Sequence, residues 1–210
     1  MTSVGARAED ASETLTGLID RPLSSGGLLI LGDSISAAYG LDKSKGWVAL
    51  LEARLAQDCP QINVHNASVS GETSAGGVVR LPDLLDRYKP GLVVIELGGN
   101  DGLRGLSPVR MRQNFKKMIM LSRAAGAEVA ILGILIPPNY GETYRHMFER
   151  AIADAAEQAR VPFLDFFLSG VAEDPTLMQE DGIHPNETAQ LQLLENALQV
   201  LDGPLKRLCD

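Results

Sequence analysis

From residue 28 onward, short apolar runs alternate with longer segments in which apolar positions return every three or four residues. The runs cover residues 28–31, 62–65, 92–97, 129–134 and 161–165; Val and Ile are frequent in them, and they read as buried strands. Helical spacing fills residues 47–57, 78–88, 108–124 and 143–160, and a last helix is predicted over 186–201. Leu50, Leu51 and Leu55 fall on one face, as do Phe115, Met118 and Ile119. Ser107-Pro108 pairs a capping residue with a first-turn proline, and Gly126 stands where a helix C-terminal glycine belongs. Strand and helix alternate throughout. Parallel strands need crossover connections, so this order predicts an α/β domain with a parallel sheet covered by helices on both faces.

Composition narrows the function classes. A chain of 210 residues fits one domain, and 45% hydrophobic with 22% charged residues is ordinary for a globular protein. The net charge of −8 gives no electrostatic reason to bind nucleic acid or an anionic membrane. No apolar stretch approaches the ~20 residues of a spanning helix. The expected partner is a small molecule, and the expected state a monomer or weak homo-oligomer. Residues 1–27 are mostly small and polar and lack the basic start and apolar run of a secretory signal. They read as a flexible tail or leader ahead of a domain over 28–205, and Leu15, Leu18 and Ile19 could form one amphipathic turn. The compartment stays open: periplasmic or secreted if a signal was removed, cytoplasmic otherwise. Cys59 and Cys209 are far apart and in no metal-ligand spacing; they read as reduced bystanders in preference to one disulfide tying down the C-terminus.

The chemistry-bearing residues gather after the predicted strands, on the edge where such sheets place their sites. Residues 28–36 read LLILGDSIS, so Ser34 follows the first strand through Gly32-Asp33. It is either a nucleophile at a strand-to-helix turn or the N-cap of the next helix. Residues 181–185 read DGIHP. Asp181 lies close enough to fix the tautomer of His184, leaving the other ring nitrogen to take a serine proton; the alternative is a helix-entry cap. His65 and His146 read as structural or solvated. Gly71, after the second strand, lets a backbone N–H approach a ligand, and Asn100, in the loop Gly98-Gly99-Asn100-Asp101-Gly102, offers a side-chain donor. Both types are also default turn residues. Asp33 and Asp101 fall in no Ca or Mg loop pattern, no His/Cys cluster is present, and no Walker or G-x-G-x-x-G sequence occurs, so neither metal nor nucleotide is expected.

Taken in order, GDS at 32–34, Gly71, GGND at 98–101 and D-x-x-H at 181–184 resemble the SGNH (GDSL) hydrolases. LLILGDSISAAYG, NASVSGETS, RLPDLL, VVIELGGNDGLRG, PPNYG and QEDGIHPN further resemble the bacterial thioesterase I, lysophospholipase and arylesterase subgroup. The resemblance runs from about Leu28 to Leu201. It implies a three-layer α/β/α fold with a flavodoxin-like sheet of five parallel strands. It implies Ser34 as nucleophile, His184 as general base then acid, and Asp181 as its orienting partner. The Ser34 N–H, the Gly71 N–H and the Asn100 side chain would form the oxyanion hole. Leu103, Arg104 and Leu106 resemble a mobile lid over the acyl chain, and Ile136, Pro137, Asn139 and Tyr140 another stretch lining the pocket. The implied activity is hydrolysis of acyl esters and thioesters through an acyl-enzyme, without a cofactor. Acyl transfer or carbohydrate deacetylation at the same site, and a non-catalytic flavodoxin-like binding module, are the rival readings.

Overall fold

The computed structural model describes residues 26–210; the tail expected over residues 1–27 lies almost wholly outside the described residues. Five strands, β1 (Leu28–Gly32), β2 (Val64–Asn66), β3 (Leu92–Glu96), β4 (Glu128–Leu132) and β5 (Phe163–Leu164), form one all-parallel sheet in the order β2-β1-β3-β4-β5. Leu28 stands opposite both Val64 and Leu92, and every residue of β1 and β3 is buried. That explains the unbroken apolar runs: a central strand covered on both faces has no polar side to alternate with.

The crossovers are α1 (Trp47–Asp58), α2 (Ser74–Tyr88), α3 (Gly99–Leu103) with α4 (Pro108–Ala124), and α5 (Glu142–Ala159); α6 (Gln190–Cys209) closes the chain. Thus α4 matches its expected bounds. Ser107 caps it, its side chain accepting from the Arg110 N–H at 3.4 Å, and Pro108 opens its first turn. Trp47, Phe115, Phe148 and Phe167 are the largest fully buried side chains, with Trp47 and Phe167 meeting edge to face at 5.2 Å.

Four expectations need correction. Helix α2 begins at Ser74 rather than residue 78, because Thr73 caps it by accepting the Gly76 N–H at 3.3 Å. Its Gly77 is a packing glycine: a Cβ there would come 2.6 Å from Leu97. The last helix starts at Gln190 and runs past residue 201 to Cys209, carrying Pro204 inside it. Asn100 stands not in a loop but in the first turn of α3, whose preceding Gly98 has φ +113°, a region only glycine enters freely. Finally, Cys59 and Cys209 are joined by a disulfide, with Cα atoms 5.7 Å apart. Sequence distance hid the pairing: α1 and α6 lie side by side, and their ends meet.

Strand polarity sorts the molecule into two ends. The segments after β1, β2, β3 and β4 share the carboxyl edge of the sheet. Gly26, ahead of β1, and Cys209, bonded to the residue that follows α1, lie at the opposite edge.

Candidate active site

After Gly32 the chain does not enter a helix. Residues 34–40 form successive turns, held by Ala37 N–H to Asp33 C=O (3.0 Å) and Tyr39 N–H to Ser34 C=O (3.0 Å). Ser34 therefore caps nothing; α1 starts thirteen residues later, behind Gly46. Instead Ser34 Oγ lies 2.9 Å from His184 Nε2, and His184 Nδ1 lies 2.6 Å from Asp181 Oδ2. A carboxylate only accepts, so Nδ1 carries the ring proton and Nε2 offers a lone pair to Ser34.

The His184 loop is built locally. Asp181 Oδ1 accepts the N–H groups of Ile183 (2.9 Å) and His184 (3.0 Å). The bond from the His184 backbone first, then those from the His184 ring and the Ile183 N–H, hold the Asp181 carboxyl down at about 2, so it is ionised at neutral pH. Asp181 thus braces its own turn and caps no helix. The helical cap itself is Asn186, which accepts from Thr188 N–H at 2.9 Å.

Two residues that the sequence reading passed over fix this loop against the serine turn. Gln179 Nε2 donates to the Tyr39 carbonyl (2.8 Å) and the Pro185 carbonyl (3.0 Å). The Tyr39 ring lies 4.6 Å from the His184 ring. A Gln and a Tyr on separate turns carry no spacing signal, so only the folded chain reveals them.

Among the expected oxyanion donors, Asn100 borders the cleft beside Ser34, with Nδ2 3.2 Å from Asp33 Oδ2. Neither Ser34 nor Gly71 spends its N–H on a protein acceptor among the described residues. Gly71 has φ +81°, and its carbonyl accepts from Arg104 Nη2 at 3.0 Å. Asp101, the other acid weighed for a metal, accepts the Ser74 N–H (2.8 Å) and Ser74 Oγ–H (2.6 Å), tying α3 to the start of α2. Burial pushes its carboxyl up.

Beside the serine opens a cleft of about 410 Å³, walled by Ile35, Leu103, Ile134, Ile136, Phe166 and Met178 among others. Leu103, Ile136 and Pro137 of the expected substrate residues border it; Arg104, Leu106, Asn139 and Tyr140 do not. Arg104 is turned to the Gly71 carbonyl, the Tyr140 hydroxyl donates to the Leu103 carbonyl (2.9 Å), and the Leu106 carbonyl accepts from the Tyr144 hydroxyl (2.8 Å). Of these bonds the one from Tyr140 holds a lining residue, Leu103, and Asn139 is exposed. The opposite wall, Phe166, Leu168, Ala172 and Met178, was missed: it belongs to irregular chain after β5, where apolar periodicity is silent. A larger groove of about 540 Å³ between α4 and α5 contains Arg112, Lys116, His146 and Arg150 but no activated nucleophile, so size alone does not mark the site.

A serine bonded to an oriented imidazole, with the Asn100 amide bordering the same apolar cleft, can perform acyl transfer. Comparison with known proteins agrees. Residues 30–190 match the GDSL-like Lipase/Acylhydrolase family. The chain is 55% identical over 174 residues to "Esterase TesA" of Pseudomonas aeruginosa, covering 83% of this chain and 87% of the relative. It is 44% identical over 163 residues to "Thioesterase 1/protease 1/lysophospholipase L1" of Escherichia coli, covering 78% of this chain and 77% of the relative. A crystal structure of TesA superimposes with a TM-score of 0.82 at 54% identity, covering 84% of this chain and 98% of that one.

Proposed function

The chain belongs to the GDSL-like lipase/acylhydrolase family and hydrolyses acyl esters and thioesters; we propose that Ser34, His184 and Asp181 carry that reaction, with Asn100, Gly71 and the Ser34 N–H as oxyanion donors. The observation that supports the assignment is the unbroken relay from Asp181 through His184 to Ser34, at 2.6 and 2.9 Å, opening onto the apolar cleft.

Ser34 Oγ attacks the acyl carbonyl while its proton passes to His184 Nε2. The carbonyl oxygen becomes an anion among the three donors, which contribute most as charge develops. Asp181 stabilises the imidazolium so formed. Collapse of the tetrahedral species breaks the bond to the alcohol or thiol, which leaves with the proton from Nε2. Water then attacks the acyl-enzyme, giving its proton to Nε2. The second tetrahedral species expels Ser34, which recovers that proton, and the free acid departs.

The apolar walls favour an aliphatic or aryl acyl group over a sugar, which needs polar partners along its length. Turnover of p-nitrophenyl esters of graded chain length, acyl-CoAs, lysophospholipids and acetylated sugars tests this. Ester and thioester turnover should lead, and Ser34→Ala should lose at least 10³-fold in kcat together with labelling by a fluorophosphonate. Retained labelling in Ser34→Ala would sink the assignment.

A further inference from the structure

Beneath Ser34 lie two acids that the reaction above does not use. Asp33 is 2% exposed and Glu96 1% exposed. Asp33 Oδ1 accepts the Ile35 N–H at 3.1 Å, and Oδ2 accepts from Asn100 Nδ2 at 3.2 Å. Glu96 Oε2 accepts the Ser36 hydroxyl at 2.7 Å and the Asp33 N–H at 3.4 Å. Trp47 Nε1 donates in turn to Ser36 Oγ at 3.2 Å. A chain of bonds thus runs from the helix α1 tryptophan through the serine turn to the Asn100 amide.

The Asn100 amide has a stereochemical ambiguity that this chain resolves. Its oxygen and nitrogen occupy nearly equivalent positions, and a half-turn about the last side-chain bond exchanges an acceptor for a donor. Only the donor can stabilise an oxyanion; the acceptor would repel it. A carboxylate offers no proton, so it bonds the nitrogen and rejects the oxygen. The second hydrogen of that nitrogen is then left for the cleft that Asn100 borders.

We propose that Asp33 is a positioning residue, which acts through Asn100 by locking its side-chain amide with the N–H toward the acyl carbonyl, and that Glu96 and Ser36 hold the Asp33 turn in place for it. This rests on the reading of Asn100 as an oxyanion donor. Asp33 borders the cleft floor beside Ser34, but its negative charge does not help an oxyanion, so the help it gives to that charge passes through Asn100.

The test is a double-mutant cycle on the full chain, read as kcat and KM on a p-nitrophenyl ester, with circular dichroism as the folding control. Asn100→Ala should lose about 10²- to 10³-fold in kcat. Asp33→Ala should lose about 10- to 100-fold in kcat with KM within about twofold, and should cost less than about twofold more when added to Asn100→Ala. Asp33→Asn has one acceptor oxygen for two N–H donors; with that oxygen on the Ile35 N–H it turns an amide N–H toward Asn100 and draws the Asn100 oxygen inward, so it should lose at least as much kcat as Asp33→Ala. If Asp33→Ala does not fold, Asp33→Ser takes its place in the cycle. Equal losses in both backgrounds, an Asp33→Asn of parental kcat, or an Asn100→Ala of native activity overturns the positioning role. Failure of the catalytic assignment is read separately, as turnover surviving in Ser34→Ala.

Discussion

Asp33, beside the candidate reaction centre, also contributes a pH dependence to the stability of the fold. Burial lifts its carboxyl from 3.8 to about 6, and burial followed by the Asp33 charge lifts Glu96 well above the usual range. An acid whose folded value is raised holds its proton in the native state after the unfolded chain has lost it. Its favourable contribution is complete below about pH 4 and is lost as pH rises through about 6. Asp33→Asn has nothing to titrate. Relative to the parent it should therefore gain stability between about pH 4 and pH 7, by at most about 3 kcal/mol. Thermal unfolding across that range checks this, and a pH-independent difference would refute it. Asp181, lowered to about 2, acts with the opposite sign: its contribution stands above about pH 4 and fades as pH falls toward 2. At this scale the site was readable in part. Ser34, Gly71, Asn100, Asp181 and His184 each follow a strand or precede a helix, so spacing exposes them. The bonds of Asp33 to Asn100 and of Gln179 to the Tyr39 carbonyl span 67 and 140 positions, and no local pattern encodes them.

Among the elements, the five-residue α3 has the most direct hold on the site, since it bears Asn100 and Leu103. Its Gly102 packs against the neighbouring wall: a Cβ there would stand 2.3 Å from Ile136 Cγ2 and 2.9 Å from Phe148 Cε2. Glycine to alanine in a helix is ordinarily worth about 0.5–1 kcal/mol in favour of alanine. Here the clash dominates, and Gly102→Ala should cost about 1–3 kcal/mol, or several degrees in Tm. Because Ile136 must shift, kcat/KM for long-chain esters should fall further than for acetate esters; a uniform fall would contradict this. Element prediction succeeded where capping chemistry agrees with periodicity, as in α4, and failed where glycine or proline sits inside a helix. Gly76-Gly77 hid the start of α2. Past the expected end at residue 201, Leu201, Pro204 and Leu205 are buried, and their packing together with the bridge at Cys209 carries α6 onward.

For the whole molecule, the Cys59–Cys209 bridge closes a loop of 150 residues. Chain entropy puts an upper value of about 5 kcal/mol on such a closure. Cys209→Ser, or mild reduction, should lower Tm by several degrees while leaving kcat/KM within about twofold, since the bridge lies at the edge of the sheet opposite Ser34. An equal loss of activity well below Tm would show that α6 transmits to the site. The overall architecture was legible because strand–helix alternation permits few topologies; the bridge was not, because side-by-side packing of the first long helix and the last leaves no trace in either one. The same polarity that gathers the reacting groups on one edge has a practical corollary. Cys209 lies at the far edge, so a bead, an affinity handle or a fused carrier attached after Asp210 would leave the mouth of the cleft turned outward to solvent.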